Sequence, residues 1–179
     1  MYKRQALFAT LWDPQAALQA SQAGIGKVLS LSLGGRNGPQ GVTPFTGRFE
    51  VLSVTDGRFQ GVGPMMKGTV YKLGPMALLR VLQADRVQAD EITASDRNLT
   101  VIVTSERAQC LDRGFILTMG IEPEELDFIA LKSSVHFRND FEQVASEILL
   151  AACPGANLCD VAAIPYTRLR EEIRLPQRD

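Results

Sequence analysis

The chain has 179 residues, with 19 basic against 20 acidic side chains and a formal net charge of −1. That balance predicts no long-range attraction to nucleic acid or to anionic lipid. Apolar residues make up 45% and charged residues 22%, the composition of an ordinary globular protein at the typical size of one domain.

No apolar run approaches the roughly 20 residues that a membrane-spanning helix requires, and no signal-peptide pattern opens the chain, so a cytoplasmic location is expected. Cys110, Cys153 and Cys159 are an odd set without a C-x-x-C pair. They indicate neither a disulfide framework nor a zinc ribbon and read as small buried hydrophobes.

The first clear structural signal is at Asp13-Pro14, where a carboxylate can cap free N–H groups and proline fits the first turn of a helix. Ala16, Ala20 and Ala23 share one face of that helix, and Gly24 or Gly26 ends it. Val28 to Leu33 reads as a buried strand stopping at Gly34-Gly35, and Arg36 to Gln40 as an exposed loop. Gly47 to Val54, a turn at Asp56-Gly57, a return through Phe59, and Thr69 to Leu73 predict antiparallel hairpin strands.

Met76 to Leu82 and Leu99 to Thr104 are two further strands around the polar stretch Gln83 to Asn98. Beyond Ser105 the period changes. Cys110 to Met119 predicts a short helix closed by Gly120, then a turn at Glu122-Pro123-Glu124-Glu125. Phe128 to Leu131 reads as a short strand. Asn139 to Ala145 reads as an amphipathic helix with Phe137, Phe141 and Val144 inward, and Ile148 to Ala152 as a last strand. The expected fold is thus α/β of the mixed α+β kind: one domain, with a mixed, largely antiparallel sheet and a few short helices.

The chemistry-bearing residues are sparse. There is one histidine, no H-E-x-x-H, no G-x-S-x-G elbow, and Leu33 to Gly38 is neither a dinucleotide fingerprint nor a phosphate loop. A self-contained metal site is therefore not expected. The segment Lys132-Ser133-Ser134-Val135-His136-Phe137-Arg138 stands apart, because it packs two cations, two hydroxyls and an imidazole where a strand hands over to a helix. It is suited to cradling a carboxylate, an oxyanion or acidic groups of another domain. The alternative is that Lys132 and Arg138 pair with surface carboxylates such as Asp140 while His136 packs locally.

That segment resembles the K-S-x-x-H-F-R signature of the C-terminal region of the microcystinase C family. Other pieces resemble the same region in the same order: Trp12-Asp13-Pro14 with Ala23-Gly24-Ile25-Gly26, Leu33-Gly34-Gly35, Asp56-Gly57-Arg58-Phe59, Gly63-Pro64-Met65, Gly120-Ile121-Glu122-Pro123, Pro154-Gly155 and Ile164-Pro165-Tyr166. The stretch between Leu82 and Leu99 is longer than the family pattern. Met1 to Gln5 fits no part of it and is similar to a translated sequencing adapter, so residues 1–5 read as a non-native leader and 6–179 as the C-terminal domain.

The resemblance implies the C-terminal accessory part of a zinc-dependent metallopeptidase or amide hydrolase, inactive in isolation. Its partners would be the N-terminal domain of the same protein, which holds the metal and is missing here, and a peptide or amide substrate; neither nucleic acid nor membrane is implied. Zinc is expected in the full-length protein and in none of this chain's own residues. On this reading His136, Lys132 and Arg138 are the catalytic candidates and Ser133 and Ser134 the substrate-binding ones. The competing reading is a structural or substrate-selecting domain without chemistry of its own. A cleft-facing, solvent-accessible His136 favours the first, and a His136 tied to backbone carbonyls the second.

Overall fold

The computed structural model describes residues 4–35, 43–85, 97–133, 135–151, 153, 164–170 and 173. Among the described residues eight strands and three short helices follow one another: β1 (Arg4–Trp12), α1 (Pro14–Ala23), β2 (Val28–Leu33), β3 (Phe45–Thr55), β4 (Arg58–Gln60), β5 (Val70–Lys72), β6 (Met76–Ala84), β7 (Arg97–Thr104), α2 (Gly114–Leu117), β8 (Phe128–Leu131) and α3 (Arg138–Phe141). A turn of 3-10 helix at Pro123–Glu125 precedes β8. Among the described residues, no helix is long and apolar enough to cross a membrane.

Six strands form one mixed sheet in the order β2-β3-β6-β7-β1-β8. The pairs β2–β3, β3–β6 and β6–β7 are antiparallel, whereas β1 is parallel to both of its neighbours, β7 and β8. The expected mixed α+β fold, with a mixed sheet and a few short helices, is therefore the observed one, with a small second sheet of β4 and β5 beside it.

Period-two alternation divides the sheet's side chains between two cores. On one face Phe49, Val51, Ala77, Leu79, Val101 and Val103 pack against Ala16, Ala17 and Ala20 of α1. On the other, Leu7, Ala9, Met76, Leu78 and Ile102 meet Phe115, Ile116 and Met119 around α2, and Phe137 and Phe141 from the start and end of α3. Alanines on the buried face of α1 let the helix lie close to the sheet, and each fully buried Phe or Leu below it contributes about 1.5–3 kcal/mol.

Asp13 joins helix to sheet. Its backbone N–H donates to Thr104 O at 3.0 Å, and its buried carboxylate accepts from Ala16 N at 3.1 Å and from Gly34 N at 2.9 Å. This is the expected N-cap, with proline in the first turn.

Several expectations are corrected. Arg4–Trp12, not read as a strand from the sequence, is β1, near the middle of the parallel half of the sheet. Arg4 and Gln5, read from the sequence as part of a leader, are the first two residues of that strand: Gln5 N–H donates to Asp127 Oδ2 at 2.7 Å, and Gln5 O accepts from Asp127 N at 3.0 Å.

The Asp56-Gly57 turn does not fold a hairpin back on β3. Beside the turn β3 is bonded to β6, through Val54–Ala77 and Thr55–Met76, and β4 pairs instead with β5 in a separate two-stranded sheet. Gly57 sits at φ 72°, and a Cβ there would lie 2.1 Å from Gly74 O, so the turn accepts only glycine.

The helix expected over Cys110 to Met119 shortens to Gly114–Leu117, and the one expected over Asn139 to Ala145 is the single turn Arg138–Phe141. Residues 148–151 form no strand; Leu149 and Leu150 are 76% and 70% exposed rather than sheet-bound. The Arg36–Gln40 loop, most of the Gln83–Asn98 connection, Ser134, Ala152 and Cys159 lie outside the described residues.

Candidate functional site

The three parallel strands β7, β1 and β8 end side by side, and the segments leaving their C-terminal ends build the site. Such an edge is where open sheets of parallel strands commonly bind ligands, because the outgoing loops converge there. After β7, residues 105–109 are fastened over the end of β1. The Trp12 indole N–H donates to Ser105 O at 3.0 Å, Thr10 Oγ1 donates to Ala108 O at 3.4 Å, and the Arg107 guanidinium lies 5.9 Å from the Trp12 ring centre. After β8, Lys132 N–H donates to Ala9 O at 3.0 Å, carrying the ladder one residue past the strand.

These two loops meet at Gln109. Its Nε2 donates to Ser133 Oγ at 2.8 Å, and its Oε1 faces His136 Nδ1 at 3.3 Å. His136 is exposed and lines an open groove of about 640 Å³ with Met65, Val135, Arg138, Asn139, Glu142 and Gln143. Its partner is thus a side chain and not a backbone carbonyl.

Arg138 is half-buried. One guanidinium nitrogen meets Glu142 Oε1 at 3.2 Å, and its charge lies 5.7 Å from the Phe137 ring centre. The pairing with Asp140 that the sequence left open does not form. Lys132 is exposed, outside the groove lining, and its ammonium has no partner among the described residues. The structure therefore brings together His136, Ser133 and Arg138 and leaves Lys132 beside them. Because α3 is one turn long, it has no appreciable dipole to offer an anion, and the groove's positive charge is that of Arg138.

Two buried carboxylates fix the surroundings of the groove, Asp140 on α3 and Asp112 against the loop bearing Met65. Asp140, 1% exposed, accepts from Arg113 N at 2.6 Å and Arg113 Nε at 3.0 Å, and Arg113 Nη1 also reaches Glu124 at 2.7 Å. Burial alone would lower the Arg113 pKa, but the charges and hydrogen bonds of Asp140 and Glu124 outweigh it and hold the pKa above its ordinary value.

Asp112, also 1% exposed, accepts from Val62 N at 3.0 Å, Gly63 N at 2.9 Å and Gly114 N at 2.7 Å. A Cβ on Gly63 would lie 2.5 Å from Asp140 Oδ2, so this glycine lets the loop bearing Met65 close on α3. Cys110, fully buried beside this pair, has its thiol pKa pushed up by burial, then by Asp112 and Asp140, which keeps it protonated and unreactive.

No metal site is built from these groups. Among the described residues, no three His, Cys, Asp or Glu side chains are arranged to hold an ion. The two buried carboxylates spend their lone pairs on backbone N–H groups and Arg113, so the residues present do not fit a zinc centre of the chain's own. Gln109, Asp112 and Arg113 went unread in the sequence as site residues. Their only local signal was a polar segment directly following the β7 strand.

Fold and site together define one mixed-sheet domain that presents an imidazole and a guanidinium in an open groove and has no metal centre among its described residues. The chain belongs to the MlrC C-terminus family, whose pattern matches residues 2–168. It is 25% identical over 142 residues to Microcystinase C of Sphingomonas sp, covering 79% of this chain and 24% of that protein. A solved structure from Mesorhizobium sp. BNC1, described as a "Putative metallopeptidase", superposes with a TM-score of 0.74 at 22% identity, over 99% of this chain and 33% of that one. The chain thus spans a third or less of the length of these two relatives.

Proposed function

We propose that this chain is the C-terminal accessory part of a zinc-dependent metallopeptidase or amide hydrolase and completes the substrate cleft beside a metal held by an N-terminal domain. The observation that carries the reading is His136: exposed, lining a groove, and fixed by the Gln109 side chain rather than by backbone carbonyls. Family membership and the names of the longer relatives support a peptidase context. The reading assigns the metal to the N-terminal domain, because this chain has a single histidine to offer as a ligand.

Zinc, when bound by the N-terminal domain, would polarise the scissile carbonyl and activate water. His136 would orient or protonate the leaving group, a role typically worth 10²–10⁴-fold in rate. Arg138, with donors left beyond its bond to Glu142, would hold a substrate carboxylate or the developing oxyanion, and Lys132 would add unpaired positive charge nearby. Ser133 would contribute a hydrogen bond, its hydroxyl already oriented by Gln109. Ser134 is retained as a substrate-binding candidate on the resemblance alone, since it lies outside the described residues.

The second reading, a structural or substrate-selecting domain, draws on the same loop's firm anchorage through Asp140, Arg113 and the buried Phe137 and Phe141. His136→Ala in a full-length relative separates the two. On the first reading turnover falls by roughly 10²-fold or more while the melting temperature stays nearly unchanged. Loss of stability in step with activity, or no loss of activity, sinks it.

A further inference from the structure

We propose that Gln109 is the positioning residue of the groove: it selects the Nδ1–H tautomer of His136 and so makes Nε2 the nitrogen that exchanges a proton with whatever occupies the groove. The inference rests on the reading of His136 as the groove's acid–base group and adds to it which nitrogen acts and what sets it.

The argument starts from a fixed carboxamide. Residues 105–108 are held over β1 by the bonds from Trp12 and Thr10, and Cys110, the next residue after Gln109, is fully buried. Gln109 thus leaves a backbone clamped on both sides. Its Nε2 is committed to Ser133 Oγ at 2.8 Å, which turns Oε1 toward His136 Nδ1 at 3.3 Å. A carboxamide oxygen has no proton to give, so a neutral imidazole satisfies it only by carrying its own proton on Nδ1. The Nε2 lone pair is then left on the ring edge free of Gln109, in a groove whose other polar liners include Arg138, Asn139, Glu142 and Gln143.

Such a nitrogen accepts from a proton donor, and once protonated it returns that proton to the same side. The ligand chemistry favoured at this point is therefore an N–H or O–H group, as in an amine, an amide nitrogen or a hydroxyl. A neutral histidine side chain in water prefers the opposite tautomer, with the proton on Nε2, so the effect of Gln109 is observable.

Because His136 is the chain's one histidine, its two ring nitrogens can be read without assignment ambiguity by long-range ¹H–¹⁵N correlation on the ¹⁵N-histidine-labelled protein, above the pH of imidazole titration. The expected result is a protonated-type Nδ1 resonance and a lone-pair-type Nε2 resonance. Gln109→Ala should exchange the two patterns, and Gln109→Glu, which keeps an acceptor in place, should retain the wild-type one. A wild-type spectrum of the Nε2–H form, or a pattern unmoved by Gln109→Ala, overturns the proposal. The measurement needs no metal, substrate or second domain, so its failure is distinct from failure of the peptidase reading, which the turnover of His136→Ala decides.

Discussion

Tyr71 places a hydroxyl where the fold gives it little. Its ring stacks on Phe59 at 4.9 Å and meets Phe115 edge-on at 4.9 Å, while its oxygen is buried without a hydrogen-bond partner among the described residues. Burial first, then the charge of Asp112 and the nearby Cys110, push its pKa up to about 12. The folded protein therefore holds this proton more tightly than the unfolded chain, whose tyrosines ionise near 10. Stability from this source is intact below pH 10 and is lost as the pH rises toward 12. Urea titrations from pH 9 to 12 should show a shallower alkaline decline for Tyr71→Phe than for wild type; equal slopes would remove Tyr71 as the cause. At pH 7 the same variant should stay within about 1 kcal/mol of wild type, because no formed hydrogen bond is lost.

Between elements, the loop from Gly61 to Met65 shows how the groove's floor is fixed. Asp112 accepts three backbone N–H groups, two from this loop and one from the start of α2, and Asp140 stands against Gly63 while gripping Arg113. A methyl group at residue 63 has nowhere to go, since the carboxylate it meets is held by its own bonds. Gly63→Ala should cost roughly 1–3 kcal/mol, seen as a lower urea midpoint at unchanged m-value. A variant as stable as wild type would mean that α3 can move away from the loop. From the sequence Gly63-Pro64-Met65 stood out only as a piece of the family resemblance; that its glycine faces a buried aspartate from 77 positions later in the chain is a property of packing.

For the whole molecule, β1 is the hinge of the architecture. It bonds β7 along one edge and β8 along the other, and it supplies Leu7 and Ala9 to one core and Phe8 and Leu11 to the other. Deleting residues 1–9 should abolish cooperative unfolding, followed by circular dichroism in urea, because β7 and β8 would both lose their shared neighbour and two cores would open. A retained sharp transition would show that β7 and β8 can pair without it. The strand escaped the sequence reading because Ala, Leu and Gln, which make up most of it, give little β preference of their own, unlike the β-branched run of β7.

What the sequence by itself determined lies close along the chain: the Asp13-Pro14 helix start, the Asp56-Gly57 turn, strands β2, β6 and β7 as short apolar runs, and the compact run from Lys132 to Arg138 that carries the family resemblance. These signals depend on capping, on backbone conformation and on local runs of apolar residues, each decided within a few residues. Tertiary structure alone decided that β4 pairs with β5 rather than with β3, that residues 148–151 stay out of the sheet, and that Arg138 pairs with Glu142 rather than Asp140. It alone brought Gln109 to Ser133 and His136, 24 and 27 positions away, since the approach of two loops is set by the strands that carry them and leaves no trace in either loop's own composition.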